Sequence, residues 1–395
     1  MTEPRVITVA TYEGSRDVYR QKQLRQALYD EGDVVMADVL VNLHGEAHRS
    51  RRRLENRLFR GATHEHYERE LFPPVLAQTL APHVAAGHAE LVSLSHQMMM
   101  NLAALAAGVD RPLGTPEETF HLYGYLMLFI EGATLAHYTG DRAAKRAEVA
   151  AGVEAFDAEF LQPSMATRRA LLDRFGRGEV DEAGLPRDVL TVLMRNQDDL
   201  ELPPDVVLRE TSFYLLAGAH TSATAFVRTL HSVFQLEDQG RGHDLAFLQR
   251  CVHETIRLQP SSPVGMRWAL DDIELADGTP VATGDKVVID LMAANRDPEA
   301  FGPDADRFDP DRERLAGVAP WGLSFGLGMH ACIGQDLAAG IDPLGTTPDD
   351  DHLYGLVPAA VGAVLAAGGR PDPDEPPRLD PTSARGYWGS YPVRF

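Results

Sequence analysis

The sequence predicts a mainly α fold with a small β region, and three stretches carry that prediction. The first is an apolar helical run of about 32 residues from Asp205 to Leu236, which at 1.5 Å per residue spans ~48 Å and crosses a whole domain. The second is helical patterning over most of His64 to His137, with breaks at Pro82, Gly108 and Pro112. The third is Ile273 to Ile289, which alternates and turns at Asp277-Gly278, as a small β region does. No Gly/Ser-rich or Pro-rich linker and no internal repeat divides the chain, so residues 1–395 read as one domain.

Composition excludes several classes of function. The net charge of -21 argues against general nucleic-acid binding and against an anionic membrane surface. The 395 residues, 44% of them hydrophobic, suffice to bury a large core and enclose a pocket. Two cysteines, Cys251 and Cys332, make no disulfide framework, which suits a reducing cytoplasm. No apolar run reaches the ~18 residues that span a bilayer, and Met1-Thr2-Glu3-Pro4-Arg5 has no signal-peptide core. The reading is a cytoplasmic protein with no membrane partner.

Taken in order, the chain opens with a β-like run, Val6 to Ala10, then a helical stretch from about Arg16 to Glu31. Leu43 to Leu54 follows, with Arg49, Arg51, Arg52 and Arg53 making it strongly basic. His48 and Arg52 are four apart and share one face of a helix, so together they can bind two carboxylates; a solvated basic helix is the plainer reading of the charge run. His64-Glu65-His66 reads as an exposed polar helix start, and Met98-Met99-Met100 as core filler.

Leu202-Pro203-Pro204-Asp205 is a helix start signal for the long run. Its centre is apolar nearly all round, as in a buried helix. Phe213, Leu216, Ala217, His220, Thr221 and Thr224 fall on one face. Gly218 in mid-helix costs ~1 kcal/mol relative to Ala, which suggests that a small side chain is wanted there. A Thr221 hydroxyl bonded back to the Ala217 carbonyl and a satisfied core histidine account for the polar pair as well as a site does. Asp244 to Leu258 is a further helix carrying Glu254-Thr255-Ile256-Arg257, an i,i+3 pair able to bridge. Cys251 reads as an inert buried thiol.

Leu323 to Gly334 surrounds Cys332 with glycines and leads into a helical run, Gln335 to Ala339. Glycines let several N–H groups point at one sulfur, and a following helix adds the positive end of its dipole. Such a cysteine is built to stay anionic, as a metal ligand does. A zinc site wants about four protein ligands, whereas a thiolate on haem iron needs no other. After Ala339 the helix is interrupted by Gly340 to Asp351, resumes near Tyr354 to Ala367, and a closing hairpin is expected over Gly386 to Phe395.

Phe325 to Gly334 match Phe-Gly-x-Gly-x-His-x-Cys-x-Gly at all six fixed positions, and on this motif the chain resembles the cytochrome P450 family, of the soluble bacterial type. Three more of that family's motifs occur in the right order. His48-x-x-x-Arg52 resembles its C-helix motif, Ala217-Gly218-Ala219-His220-Thr221-Ser222 its oxygen-activation motif, and Glu254-x-x-Arg257 its K-helix signature. The resemblance covers roughly residue 40 to the end. It implies a mainly α cytochrome P450 fold with small β-sheet regions, holding heme b between the long helix and the cysteine loop. Cys332 would be the iron ligand. His48, Arg52 and Arg267 would meet the propionates, and Ala217, Gly218, Phe325, Gly326, His330 and Gly334 would complete the cofactor site. Thr221 would hold dioxygen and its protons, with His220 as proton relay.

The resemblance further implies a monooxygenase acting on a small-molecule substrate with dioxygen, in secondary metabolism. Ferredoxin and ferredoxin reductase would donate electrons, docking near the basic residues Arg49, Arg51 and Arg53. Arg307 would join the Glu254–Arg257 pair. Three departures stand out: a shortened segment before His48, with part of the first sheet missing or rebuilt; His220 where the family has an acid; and the insertion at 340–351. The second leaves room for a peroxygenase, or for coupling, rearrangement or dehydration without ordinary oxygen activation. A non-catalytic helper of a partner enzyme is the remaining reading, and Cys332 argues against it.

Overall fold

The computed structural model describes residues 4–135, 138, 140–236, 241, 244–344, 346–381 and 385–395. Ala136 and His137, the end of the helical run expected from His64, lie outside them, as does Gly345 in the expected insertion. The strands are β1 (Val6–Val9), β2 (Leu24–Gln26), β3 (His88–Glu90), β4 (Val264–Ala269), β5 (Ile273–Glu274), β6 (Pro280–Val281), β7 (Lys286–Asp290), β8 (Arg370–Pro371), β9 (Arg378–Leu379), β10 (Trp388–Ser390) and β11 (Pro392–Arg394). The principal helices are α1 (Tyr12–Arg20), α2 (Gly45–Glu55), α3 (Phe72–Ala86), α4 (Leu91–Ala107), α5 (Pro116–Ala133), α6 (Arg142–Phe156), α7 (Gln162–Gly176), α8 (Pro204–Phe234), α9 (Leu245–Leu258), α10 (Gln335–Ala339) and α11 (Leu356–Ala366). The fold is mainly α with small sheets, as the patterning predicts.

The chain clusters into two units assembled from separated segments. The first holds Met1–Leu28, His64–Ser95 and Thr221–Phe395; the second holds Tyr29–Thr63 and His96–His220. Helix α8 gives its first half to the second unit and its second half to the first.

The larger sheet of the first unit has the order β1-β7-β4-β2. β1 runs parallel to β7 with Val6 opposite Lys286, and β4 runs antiparallel to β7. Alternation along β4 and β7 turns Ala269, Val287 and Ile289 into the core, where they meet Tyr12, Val18, Phe301 and Leu323. The N-terminal segment thus supplies two of the four strands. Patterning alone extends a helix from Arg16 to Glu31. The chain instead leaves the helix after Arg20, because Leu24–Gln26 pairs with β4, with Leu24 opposite Ala269. The expected hairpin over Gly386 to Phe395 is also replaced. β10 pairs with β9, whereas β11 pairs with β3 and β8, so the two last strands lie in different sheets. Pro82 lies inside α3 and does not break it.

Buried ion pairs tie α9 to the chain that follows it. Arg257 is fully buried and donates to both Glu254 oxygens, Nε to Oε2 at 2.7 Å and Nη2 to Oε1 at 2.6 Å. Its Nη1 donates to the carbonyls of Asn295 and Ala305, each at 2.6 Å. The third member is not Arg307. Arg312 Nε donates to Glu254 Oε1 at 3.2 Å, while Arg307 offers its carbonyl to Arg312 Nη2 at 2.7 Å and its side chain is exposed. Position 307 lies in a turn that points its side chain outward, so only its backbone reaches the cluster.

Among its described residues the segment 340–355 has no helix before Leu356, and it is pinned within the first unit. Gln249 Nε2 donates to the carbonyls of Ala339 (3.2 Å) and Ile341 (2.9 Å). Glu68 accepts from the N–H groups of Tyr354 (2.7 Å) and Gly355 (2.8 Å), and Arg314 bridges Asp342 at 2.7 Å.

In the second unit, Met98, Met99 and Met100 are buried core residues, together with Leu122, Leu126 and Phe129. Helix α5 starts at Thr115, whose hydroxyl accepts from the Glu118 N–H, with Pro116 at its first position.

Removing one partner of a buried ion pair leaves an uncompensated charge. Glu254→Gln is therefore expected to lower the unfolding free energy by about 3–5 kcal/mol in a denaturant titration, whereas Arg307→Ala changes it by no more than about 0.5 kcal/mol.

Candidate functional site

The cysteine loop is closed on itself. The Cys332 N–H donates to the Phe325 carbonyl at 2.8 Å, and a single 3₁₀ turn, Gly328–His330, fills the bend. Gly326 and Gly328 have φ of +66° and +69°, a region that favours glycine. A Cβ on Gly328 would also lie 2.7 Å from the Tyr19 carbonyl oxygen, so α1 packs directly on the bend. Phe325 meets the edge of Trp321 at 5.5 Å, and Trp321 meets buried His253 at 5.0 Å.

The same loop is anchored at its start. Asn295, fully buried, donates through Nδ2 to Ser324 Oγ (2.8 Å) and to the Arg257 carbonyl (3.0 Å), and its Oδ1 accepts from the Leu323 N–H at 2.8 Å. Ser324 Oγ in turn donates to the Ile256 carbonyl at 2.8 Å. The end of α9 thereby fixes the loop. Cys332 is exposed, while Cys251 is buried and its thiol is pushed up to about 12 by desolvation. Phe325, Gly326, His330 and Gly334 are all half-buried around Cys332. The helix after it, α10, has five residues and ends at Gly340, where φ is +79°.

Helix α8 is 31 residues long, about 46 Å at the usual rise. From Thr211 to Leu230 it is buried everywhere except along one stripe. Phe213, Leu216, Ala217, His220 and Thr224 are half-buried, and Gly218 and Thr221 are exposed. All of these but Gly218 are the positions that three/four spacing groups together, so the apolar stripe of the sequence is the less buried face. Thr221 and Ser222 begin the half of the helix that belongs to the first unit; Ala217, Gly218 and His220 belong to the second.

In the second unit His48 and Arg52 lie one turn apart on α2. His48 is buried, and its pKa falls to about 4 through desolvation first and then the charges of Arg52 and His44. Arg52 is half-buried and donates through Nε to Asn56 Oδ1 at 2.8 Å. Arg51 is not part of an exposed basic patch, since it is buried against Glu210 at 2.7 Å; Arg49 and Arg53 are not buried, and Arg49 pairs with Glu46. Sequence reasoning also passed over His96. Its ring stacks on Tyr123 at 4.4 Å and its Nε2 is hydrogen bonded to the Tyr123 hydroxyl at 3.2 Å. Burial and then the charge of His220 lower its pKa to about 4.

Arg267 sits on β4 in the first unit. Its Nη1 donates to Gln26 Oε1 at 2.7 Å, and its guanidinium lies 5.0 Å over the Tyr19 ring. Tyr19, Asn295 and Arg312 carry no local sequence signal, because each acts on residues far away along the chain.

The cysteine loop of the first unit fits a haem-thiolate group. In the first unit, an exposed cysteine on a rigid glycine loop supplies a single soft donor, which is all that haem iron asks of the chain. The open stripe of α8 is built of small and apolar side chains with one hydroxyl and one imidazole. In the second unit, α2 offers cationic or donor groups for carboxylates.

Comparison with known proteins bears on the same residues. The family model described as Cytochrome P450 matches residues 158–340. The cytochrome P450 monooxygenase PikC of Streptomyces venezuelae is 31% identical over 203 residues, which is 50% of this chain and 47% of PikC. The chain spans less than half the length of the curated relatives it matches. Among solved structures, P450BioI in complex with hexadec-9Z-enoic acid ligated acyl carrier protein aligns with a TM-score of 0.73 at 20% identity, over 98% of this chain and 92% of that one. HmtT, involved in himastatin biosynthesis, aligns with a TM-score of 0.74 at 19% identity, over 100% and 94%. These alignments establish the fold.

Gly328→Ala places a side chain in the left-handed region and against the Tyr19 carbonyl. It is expected to destabilise the protein by about 2 kcal/mol or more in thermal or denaturant unfolding, whereas Ala331→Gly, in the same loop, shifts it by no more than about 1 kcal/mol.

Proposed function

We infer that this chain, which belongs to the cytochrome P450 family, is a haem-thiolate monooxygenase that oxidises a small organic molecule. The observation that carries the reading is the exposed Cys332 on its closed, doubly anchored loop. Haem supplies reductive activation of dioxygen when bound. The protein's own part is to hold, orient and protonate.

The closed loop fixes the backbone at Cys332, whose sulfur is proposed as the iron ligand. His48 and Arg52 are the groups on α2 proposed to receive carboxylates. Arg267, bonded to Gln26 and set over Tyr19, is proposed to take part from β4. Along α8, the small Gly218 and Ala217 are proposed to admit a flat ligand. Thr221 offers a hydroxyl that accepts and donates one proton at Oγ1. His220 stands where the family has an acid, and a neutral imidazole takes a proton at one ring nitrogen and releases one from the other near neutral pH.

The electron donors are proposed to be a ferredoxin and its reductase, and the setting the cytoplasm. A tailoring role in secondary metabolism is proposed, and the likeness to HmtT, involved in himastatin biosynthesis, supports it. A second reading rests on His220. A chain without the acid suits peroxide-driven or non-oxygenating chemistry, in which proton delivery to dioxygen is not needed.

The two readings separate in a reconstituted assay with a surrogate ferredoxin, its reductase and NADPH. Monooxygenation predicts NADPH-driven dioxygen uptake that drops about 10²-fold or more in His220→Ala, the range for losing a proton-transfer group, and that Thr221→Ala diverts to hydrogen peroxide. Turnover only with added peroxide, unchanged in His220→Ala, would establish the second reading.

A further inference from the structure

Two acids on the second unit have no place in the chemistry above. Glu55 ends α2 and Glu210 lies in the second turn of α8, and both side chains are fully buried. Glu210 is well supplied with donors: Arg51 Nη1 at 2.7 Å and the Leu40 N–H at 3.1 and 2.9 Å to its two oxygens. Glu55 receives one hydrogen bond, from the Tyr214 hydroxyl at 2.6 Å, and its other oxygen, Oε1, is buried without a partner among the described residues. Phe59 stacks on Tyr214 at 5.8 Å and helps seal the cluster.

Charge and geometry together leave little choice. Two buried carboxylates share one buried guanidinium, and like charges in a dry site do not both ionise. The half-buried Arg52 helps at longer range and is itself turned to Asn56. Arg51 and Glu55 are one turn apart on α2, and Glu210 and Tyr214 are one turn apart on α8, so the contact is a pair of rungs between two helices.

We propose that Glu55 carries a proton in the folded protein, and that the neutral Glu55–Tyr214 rung and the charged Arg51–Glu210 rung together are a positioning clamp that sets the rotation of α2 and hence the aim of His48 and Arg52. The last clause rests on the haem reading above; the protonation does not. Burial pushes Glu55 up to about 7 from the ordinary 4.5 and pushes Glu210 well above that ordinary value too, against the pull of Arg51 and the Leu40 N–H; the proton is assigned to Glu55 because Glu210 holds those donors. The Tyr214 hydroxyl is held in its neutral, donating form by burial and both acids. The folded protein keeps the Glu55 proton where the unfolded chain has released it. The stability this gives is full below about pH 4.5 and is lost as pH rises through about 7.

The test uses haem-loaded wild type, Glu55→Gln and Glu210→Gln. Infrared spectroscopy at about pH 6 should show a protonated-carboxyl stretch in wild type that is lost in Glu55→Gln. Glu55→Gln, which mimics the protonated side chain, should keep the wild-type melting temperature at about pH 5 and flatten its decline up to about pH 8. Glu210→Gln should speed haem transfer to an apoprotein trap about 10-fold, while Glu55→Gln leaves that rate unchanged at about pH 6. Absence of the carboxyl band in wild type, or a Glu55→Gln melting curve as pH-dependent as wild type, would overturn the proton assignment. Unchanged haem transfer in Glu210→Gln would overturn the positioning role. Because the infrared and melting data need no turnover, they stand or fall apart from the monooxygenase reading.

Discussion

A buried guanidinium must have every face bonded, and Arg257 meets that demand by reaching across the chain. With no solvent exposure, it holds Glu254 on its own helix and the carbonyls of Asn295 and Ala305 on the segments that follow. Leaving such a group unpaired costs several kcal/mol, so those segments are not free to drift. Asn295, fixed by this arrangement, has its amide directed at Leu323 and Ser324, the first residues of the cysteine loop. The aim of Cys332 is thus settled some 70 residues away in sequence, by a helix whose end reaches the loop through Asn295 and the Ile256 carbonyl.

Helix α8 buries three of its faces between Thr211 and Leu230 and leaves the fourth uncovered. The open stripe carries one hydroxyl and one imidazole among small and apolar side chains. Gly218, in the second unit, and Thr221, in the first, are exposed in the middle of an otherwise buried helix. The His96–Tyr123 pair lies in the same unit as His220, and the charge of His220 adds to burial in lowering the pKa of His96.

Much of this was legible in the sequence. The cysteine loop, α8 with its one-sided stripe, α9 with its Glu-x-x-Arg pair, and the Val6 strand all follow from local spacing, because helix periodicity and glycine placement are local properties. What escaped was set by distant partners. The stretch after Arg20 looks helical but is drawn out by β4, and the last two strands part because each finds a different neighbour. Arg312 in place of Arg307, and Arg51 buried in place of exposed, depend on which way a side chain turns once the backbone is folded. The Glu55–Glu210 cluster joins residues more than 150 positions apart, and a charged residue in a basic run gives no sign that it will be buried.

The central claim is that Cys332 ligates haem iron as a thiolate. Its most direct test is the absorption spectrum of the dithionite-reduced protein with carbon monoxide, beside Cys332→Ser. The account predicts the long-wavelength Soret band of thiolate ligation in wild type and its loss in the variant. A well-folded wild-type protein with no such band, or a band that survives the substitution, would contradict it.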